Sequence, residues 1–141
     1  MRILIIGQAG QLAFELQRSL APLGQLTVAG RHSNPAIDLS DLSGIASQIR
    51  AIRPDLVVNA AAYTAVDRAE TDIETAQKVN GTGVAVLAEE CHKIGAGLVH
   101  YSTDYVFPGN ASTPYRETDP LGPQSVYGQS KRLGEEAIRD S

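Results

Sequence analysis

The stretch that decides the fold is residues 2–13, which read RILIIGQAGQLA. Ile3 to Ile6 form an unalternating aliphatic run, typical of a strand buried on both faces of a parallel sheet. Gly7, Gly10 and Ala13 follow at the spacing of small residues in a turn that leads from such a strand into a helix. This pattern predicts a dinucleotide site, with the pyrophosphate held at the helix N-terminus.

Strand and helix patterns alternate along the rest of the chain. Three more short apolar runs predict buried strands: Leu26 to Ala29, Leu56 to Val58 and Leu98 to Tyr101. Apolar residues at helical spacing lie between these runs and predict three helices. The first carries Leu12, Leu16, Leu20 and Leu23 and ends at Gly24, and the second carries Ile45, Ile49 and Ile52, with Ser40 and Asp41 as cap candidates and Pro54 as its stop. The third is longer and runs from about Ile73 to Ile94. Alternation of this kind predicts right-handed βαβ crossovers, and so an α/β, doubly wound parallel sheet of the Rossmann type.

Composition excludes several classes of protein. The 141 residues, 43% hydrophobic, suit one nucleotide-binding domain over residues 1–141. A net charge of −4 without a basic block argues against nucleic-acid binding, and no window of ~18 residues is apolar enough for a membrane span. The one cysteine, Cys91, excludes an internal disulfide and favours a reducing cytoplasm, with Cys91 as a small core residue. The histidines have no metal-binding spacing, and we predict no metal ligands among them.

The end of the second predicted strand bears on the choice of cofactor. An acid that would hold the ribose hydroxyls is expected there, but Gly30 and Arg31 follow instead. A guanidinium binds a 2′-phosphate, whereas a carboxylate repels it, so we expect NADPH, with NADH possible. The alternative is that Arg31 is a solvated loop residue. Asp38 and Leu39 could meet the adenine, or Asp38 could be a helix-start acid without a ligand.

Tyr127 and Lys131 lie four residues apart on a predicted helix, and therefore on one face of it. A free phenol ionises near pH ~10 and a lysine ammonium near ~10.4, so the nearby ammonium favours the phenolate. A tyrosine tuned in this way can give a proton to a carbonyl oxygen. The hydroxyl of Thr103, upstream, can hydrogen-bond the same oxygen. These three residues are the candidate catalytic group of a carbonyl reductase; an amphipathic surface pair is the alternative for Tyr127 and Lys131.

The segment that leads to this helix is rich in proline and glycine from Pro108 to Pro123, which predicts a loop. Ser125 is the expected cap of the helix that follows. No glycine or proline closes that helix before Ser141, so we expect the sheet to be incomplete and the chain to be part of a longer protein.

Four segments, in this order, carry a family resemblance: residues 7–12 (GQAGQL), 58–67 (VNAAAYTAVD), 101–107 (YSTDYVF) and 126–131 (VYGQSK). With them the sequence resembles the extended short-chain dehydrogenase/reductases, and most of all their dTDP-4-dehydrorhamnose reductase branch. The resemblance implies hydride transfer from the nicotinamide to the C4 keto carbon of dTDP-4-dehydro-L-rhamnose. The product would be dTDP-L-rhamnose, a precursor of cell-envelope polysaccharide.

The resemblance also assigns roles to individual positions. The cofactor would be held by Gly7, Gly10, Gln11 and Leu12 at the pyrophosphate, Asp38 and Leu39 at the adenine, and Ala61, Ala62, Tyr63, Thr64 and Tyr101 near the ribose and nicotinamide. Tyr127 would donate the proton and Lys131 would hold the nicotinamide ribose. Thr103 and Asp104 would face the sugar. An Asn at position 80 would form a buried polar bridge; the alternative is a local kink in the helix.

Several features depart from the family pattern. Ala13 replaces the third glycine, and Gly30 stands where an acid is often seen, which puts NADH use in doubt. Glu15 matches a position that takes part in a Mg²⁺ site at a dimer contact in some members. We expect it to be a solvated carboxylate here, with Mg²⁺ and a homodimer possible only for the full-length protein.

The largest departure is length, because a C-terminal substrate domain is absent and we expect residues 1–141 alone to be inactive. Two alternatives remain open. One is a non-catalytic regulatory subunit like the beta subunit of methionine adenosyltransferase, and the other is a different nucleotide-sugar reductase or epimerase.

Overall fold

The computed structural model describes all residues from Met1 to Ser141. Its centre is a parallel sheet of four strands in the order β2-β1-β3-β4. The strands are β1 (Arg2–Ile6), β2 (Gln25–Ala29), β3 (Leu56–Asn59) and β4 (Gly97–His100). All four strands were predicted, and the parallel register aligns their carboxyl ends along one edge, where ligands bind in open α/β sheets.

The connections between strands are helical. The helices are α1 (Gln11–Leu20), α2 (Leu42–Ile52), α3 (Val66–Ala69), α4 (Ile73–Gln77), α5 (Gly83–Ile94) and α6 (Val126–Arg139). Predicted caps are confirmed at two of them. The Asp41 carboxylate accepts a hydrogen bond from the Gly44 amide at the start of α2, and the Ser125 hydroxyl accepts one from the Gly128 amide in α6. None of the helices has both the length and the apolar character needed to cross a bilayer.

The core consists of two apolar layers, one on each face of the sheet. The larger layer contains Leu4, Ile6 and Val57 from the sheet with buried side chains of α2 and α5. The smaller one packs Ile3, Ile5 and Val58 against Ala13 of α1. Helices therefore cover both faces, which confirms the doubly wound α/β fold.

Two expectations about burial are wrong. Strands β2 and β4 are only partly buried, because each lies at an edge of this sheet, and Val99 in β4 is 43% exposed. The leucine stripe of the first helix is split, because α1 ends at Leu20 and a 3₁₀ turn follows. Leu16 and Leu20 pack against the smaller core layer, whereas Leu12 and Leu23 are exposed.

The helix predicted from Ile73 to Ile94 runs without a break, but its hydrogen-bond pattern changes within it. Residues Lys78–Thr82 form a π-helical segment between α4 and α5. Such segments insert one extra residue into a turn and often occur at functional sites. Here the segment brings the backbone against α6 so closely that a Cβ at Gly134 would stand 2.5 Å from the Asn80 carbonyl oxygen.

Candidate active site

The glycine turn after β1 has the geometry of an anion site. Gly7 has φ +115°, a conformation that favours glycine, and a Cβ there would stand 3.2 Å from the Ala60 backbone. Helix α1 begins after Gly10 with no side-chain cap and no acid in its first turn. The first amides of α1, including those of Gln11 and Leu12, are thus free of intrahelical partners and suit a phosphate.

A cleft of about 730 Å³ opens beside this turn, at the carboxyl edge of the sheet. This volume is in the range of small-molecule and cofactor sites. Nine of the predicted cofactor residues line the cleft: Gly7, Gly10, Arg31, Asp38, Leu39, Ala61, Ala62, Tyr63 and Thr64. Segments distant in sequence therefore meet around one cleft, as the dinucleotide prediction requires.

At the end of the cleft away from the glycine turn, the guanidinium of Arg31 lies near the carboxylate of Asp38, which is hydrogen-bonded to Ser40. Partial burial alone would raise the pKa of Asp38, but the Ser40 amide and hydroxyl donate to it at 2.8 and 2.7 Å. With the charge of Arg31 nearby, these bonds hold the Asp38 pKa below its usual value. Arg31 is exposed and lines the cleft, so its guanidinium is accessible to an anionic group. Ser40 and His32 also line the cleft, and the sequence did not single them out as ligands.

Asn80 joins the cleft to helix α6. Its side chain is buried, accepts from the Tyr63 amide at 2.8 Å and donates to the Tyr63 carbonyl at 3.0 Å. It also donates to the Ser130 hydroxyl at 2.9 Å, which in turn donates to the Tyr127 carbonyl at 2.7 Å. The buried polar bridge expected at Asn80 is present, and it connects the loop after β3 with the helix of Tyr127.

The predicted catalytic residues lie at the next strand end, outside the lining of the cleft. Lys131 is only 2% exposed, and its amino group donates to the Tyr101 carbonyl at 2.6 Å. Burial lowers the pKa of Lys131 to about 8, and Glu135 acts in the opposite direction. Tyr127 lies one turn earlier, with its ring edge-on to Tyr105 at 5.7 Å between centroids.

Thr103 and Asp104 begin the 3₁₀ turn that packs against the start of α6. The Thr103 hydroxyl accepts from the Tyr105 amide at 3.3 Å and lies 3.3 Å from the Asp104 carboxylate. A smaller cavity of about 300 Å³ adjoins this turn, lined in part by Asp104, Tyr105 and Gln124.

His100 links the two parts of the site. Its Nδ1 is 3.0 Å from the Asn59 side-chain nitrogen, and its Nε2 is 3.3 Å from the Lys131 amino group. The Asn59 oxygen accepts from the Ala61 amide, and Ala61 lines the cleft. Its place in an apolar run predicts a hydrogen-bonded core histidine, and the two partners agree with this. Its position at a strand end, four residues before Asp104, was the available signal for a place beside the site.

Comparison with known proteins agrees with this geometry. The family profile described as "RmlD substrate binding domain" matches residues 1–141.

The chain belongs to this family.

Reductases and an epimerase are among the sequences and solved structures that are similar to the chain. It is 50% identical over 141 residues to the dTDP-4-dehydrorhamnose reductase of Escherichia coli K12, covering 99% of this chain and 47% of that protein. The Bacillus anthracis dTDP-4-dehydrorhamnose reductase, solved in complex with NADP, has a TM-score of 0.90 at 34% identity, over 99% of this chain and 49% of that one. The UDP-glucose 4-epimerase of Thermus thermophilus, solved with NAD, has a TM-score of 0.84 at 27% identity, over 99% and 50%. The chain spans about half the length of the curated relatives it matches.

Magnesium has no support in this chain. No group of three or more His, Cys, Asp or Glu side chains could hold a metal ion. Glu15 is paired with Arg18 on the surface of α1 at 3.1 Å, as a solvated helix carboxylate would be.

Proposed function

We propose that this chain is the cofactor-binding part of a dTDP-4-dehydrorhamnose reductase that uses NADPH. The full-length protein would reduce the C4 keto group of dTDP-4-dehydro-L-rhamnose to give dTDP-L-rhamnose. The observation that carries the proposal is the buried Lys131, one turn after Tyr127, beside the strand edge where the cleft opens. The 50% identity to a reductase of this name supports the choice of substrate.

The residues of the cleft fit NADPH. Gly7 and the free amides at the start of α1 suit the pyrophosphate, and Arg31 at the other end suits the 2′-phosphate. Asp38 and Leu39 line the cleft near Arg31, where the adenine would lie. Bound NADPH supplies the hydride for the reduction.

The residues of the chain handle the proton and the orientation of the substrate. We assign Tyr127 as the donor of the proton to the keto oxygen, with the Thr103 hydroxyl as a second hydrogen-bond partner of that oxygen. Lys131 would hold the nicotinamide ribose. The Asn80 bridge keeps α6 in register with the loop after β3, so that the proton donor and the cofactor site are held at a constant separation.

We also propose that residues 1–141 form an incomplete unit whose substrate domain lies in the remainder of a longer protein. The relatives are about twice as long as this chain. Without a closing domain the site would remain open to water and the sugar would lack part of its contacts, so residues 1–141 alone should bind NADPH and turn over poorly. A homodimer stays a prediction for the full-length protein.

The test is turnover by the full-length protein with dTDP-4-dehydro-L-rhamnose and NADPH, followed by NADPH absorbance and product analysis. Tyr127→Phe should lower kcat by a factor of about 10² to 10⁴ and leave NADPH affinity nearly unchanged, because only the proton donor is lost. Tyr115→Phe, in the loop before α6, is the matched control and should keep normal turnover.

Unchanged turnover in Tyr127→Phe would remove this residue from the mechanism. If the wild-type protein binds NADPH but oxidises none with this or any other 4-keto nucleotide-sugar, the reductase proposal fails and a regulatory subunit remains. Interconversion of nucleotide-sugars without net NADPH loss would indicate an epimerase instead.

A further inference from the structure

We propose that His100 is a positioning residue: Asn59 fixes its tautomer, and its Nε2–H in turn sets the place and protonation of the Lys131 amino group. The inference rests on the proposed function only in giving Lys131 a role in the reaction. Its structural basis is a continuous line of contacts from Ala61 in the cleft to Tyr101 beside α6.

The first step is the orientation of the Asn59 amide. The backbone N–H of Ala61 can only donate, and it points at one end of this amide at 3.1 Å, which must therefore be the oxygen. The NH₂ end then faces His100 Nδ1 at 3.0 Å. Asn59 is 1% exposed, so water is not available to pair with either group instead.

The second step is the proton on the imidazole ring. The Asn59 NH₂ group is a donor, so His100 Nδ1 must accept with its lone pair. Burial, with the charge of Lys131, lowers the pKa of His100 to about 4, and the ring is neutral near pH 7. A neutral ring with a bare Nδ1 carries its proton on Nε2. His100 therefore presents an N–H to Lys131 Nζ, 3.3 Å away.

The third step concerns Lys131 itself. Its nitrogen donates to the Tyr101 carbonyl at 2.6 Å and faces the Nε2–H of His100. A neutral amine satisfies both contacts, because it donates to Tyr101 and accepts from His100 with its lone pair. An ammonium would set N–H against N–H. The contact with His100 thus opposes the ammonium in the cofactor-free protein and lowers the Lys131 pKa in the same direction as burial, while Glu135 on α6 acts to raise it.

This arrangement gives Lys131 two states. Binding of a ligand that accepts hydrogen bonds would draw the amino group toward the charged form. The charged form costs a contact, because either Lys131 leaves the Nε2–H of His100 or the ring changes tautomer and loses the Asn59 bond. His100 thereby connects the charge of Lys131 to Asn59, whose oxygen accepts from the amide of Ala61 at the cleft.

The experiment is NMR on the full-length protein with ¹⁵N-labelled histidine and labelled lysine, without cofactor. The His100 ring should show a bare Nδ1 and a protonated Nε2 at neutral pH. In His100→Phe, which keeps an aromatic ring but removes both nitrogens, the Lys131 titration midpoint should rise by about one pH unit, a tenfold change in proton affinity. His92→Gln, at an exposed position on α5, is the control and should leave Lys131 unchanged.

A protonated Nδ1 in the wild-type protein overturns the proposal without any variant. So does a Lys131 midpoint that is the same in His100→Phe as in wild type, because a purely structural histidine would change stability and not this titration. Asn59→Asp offers an independent check: a carboxylate accepts from Nδ1, so the ring proton should move to Nδ1. Failure of the full-length protein to reduce the nucleotide-sugar would refute the proposed function and leave these measurements standing.

Discussion

The Asn80 bridge offers the sharpest prediction about how this site is held together. Asn80→Ala removes three hydrogen bonds, to the amide and carbonyl of Tyr63 and to the Ser130 hydroxyl. Each contributes about 0.5–1.5 kcal/mol net, so the expected loss in free energy of unfolding is about 3 kcal/mol. For a chain of this length, with an unfolding entropy of roughly 0.3 kcal/mol/K, the midpoint of thermal unfolding should fall by about 10 °C.

The same substitution should weaken cofactor binding, because Tyr63 lines the cleft and its backbone loses its support. If ~1.4 kcal/mol of the lost hydrogen-bond energy supports only the cofactor-bound state, the substitution weakens NADPH binding about tenfold. Thermal unfolding by circular dichroism and NADPH titration by fluorescence measure the two effects on one sample. Asn110→Ala, in an exposed loop, is the matched control and should change stability by less than ~0.5 kcal/mol.

Two results would refute this reasoning. If Asn80→Ala unfolds within ~2 °C of the Asn110→Ala control, the bridge is not a stabilising contact of the stated size. If it loses stability but binds NADPH as tightly as wild type, the bridge does not support the cleft, and the coupling between the loop after β3 and α6 is absent.

Three other predictions follow from single residues. Arg31→Ala should weaken NADPH binding far more than NADH binding, because only NADPH has a 2′-phosphate for the guanidinium to bind. Arg18→Ala is the control, and equal losses of NADPH and NADH affinity in a titration would show that Arg31 does not bind the 2′-phosphate. The hydrogen bond from Arg50 lowers the pKa of Glu90 to about 2. Glu90 therefore adds stability that is complete above pH ~4.5 and is lost as the pH falls toward 2. In denaturant titrations, Glu90→Gln should flatten the dependence of the unfolding free energy on pH across this window, and an unaltered pH dependence would contradict the prediction. Burial raises the pKa of Cys91 to about 11, so a thiol reagent at pH 8 should label it only on unfolding, and rapid labelling of the native chain would show the thiol to be accessible.

Local patterns in the sequence were enough for the order of the four strands and the main helices, and for the glycine turn after β1. Aliphatic runs such as Ile3 to Ile6 predict strands because a buried parallel strand needs apolar side chains on both faces. The Gly7–Gly10 spacing predicts the turn because few residues adopt a positive φ or allow so close a backbone approach. Tyr127 and Lys131 could be paired in advance because helical geometry brings residues four apart to one face.

Contacts between distant segments were decided only by the tertiary structure. Asn59 and His100 are 41 residues apart, and Asn80 and Ser130 are 50 apart, so no local period links them. Their partners depend on which strands are neighbours and on the π-helical segment, which turns Asn80 toward Tyr63 and α6. The exposure of Leu12 and Val99 likewise depends on what the fold leaves uncovered. Sequence alone therefore determined the order of the strands and the candidate residues of the site, whereas the packing of strand ends against α6 decided which buried polar groups surround those candidates.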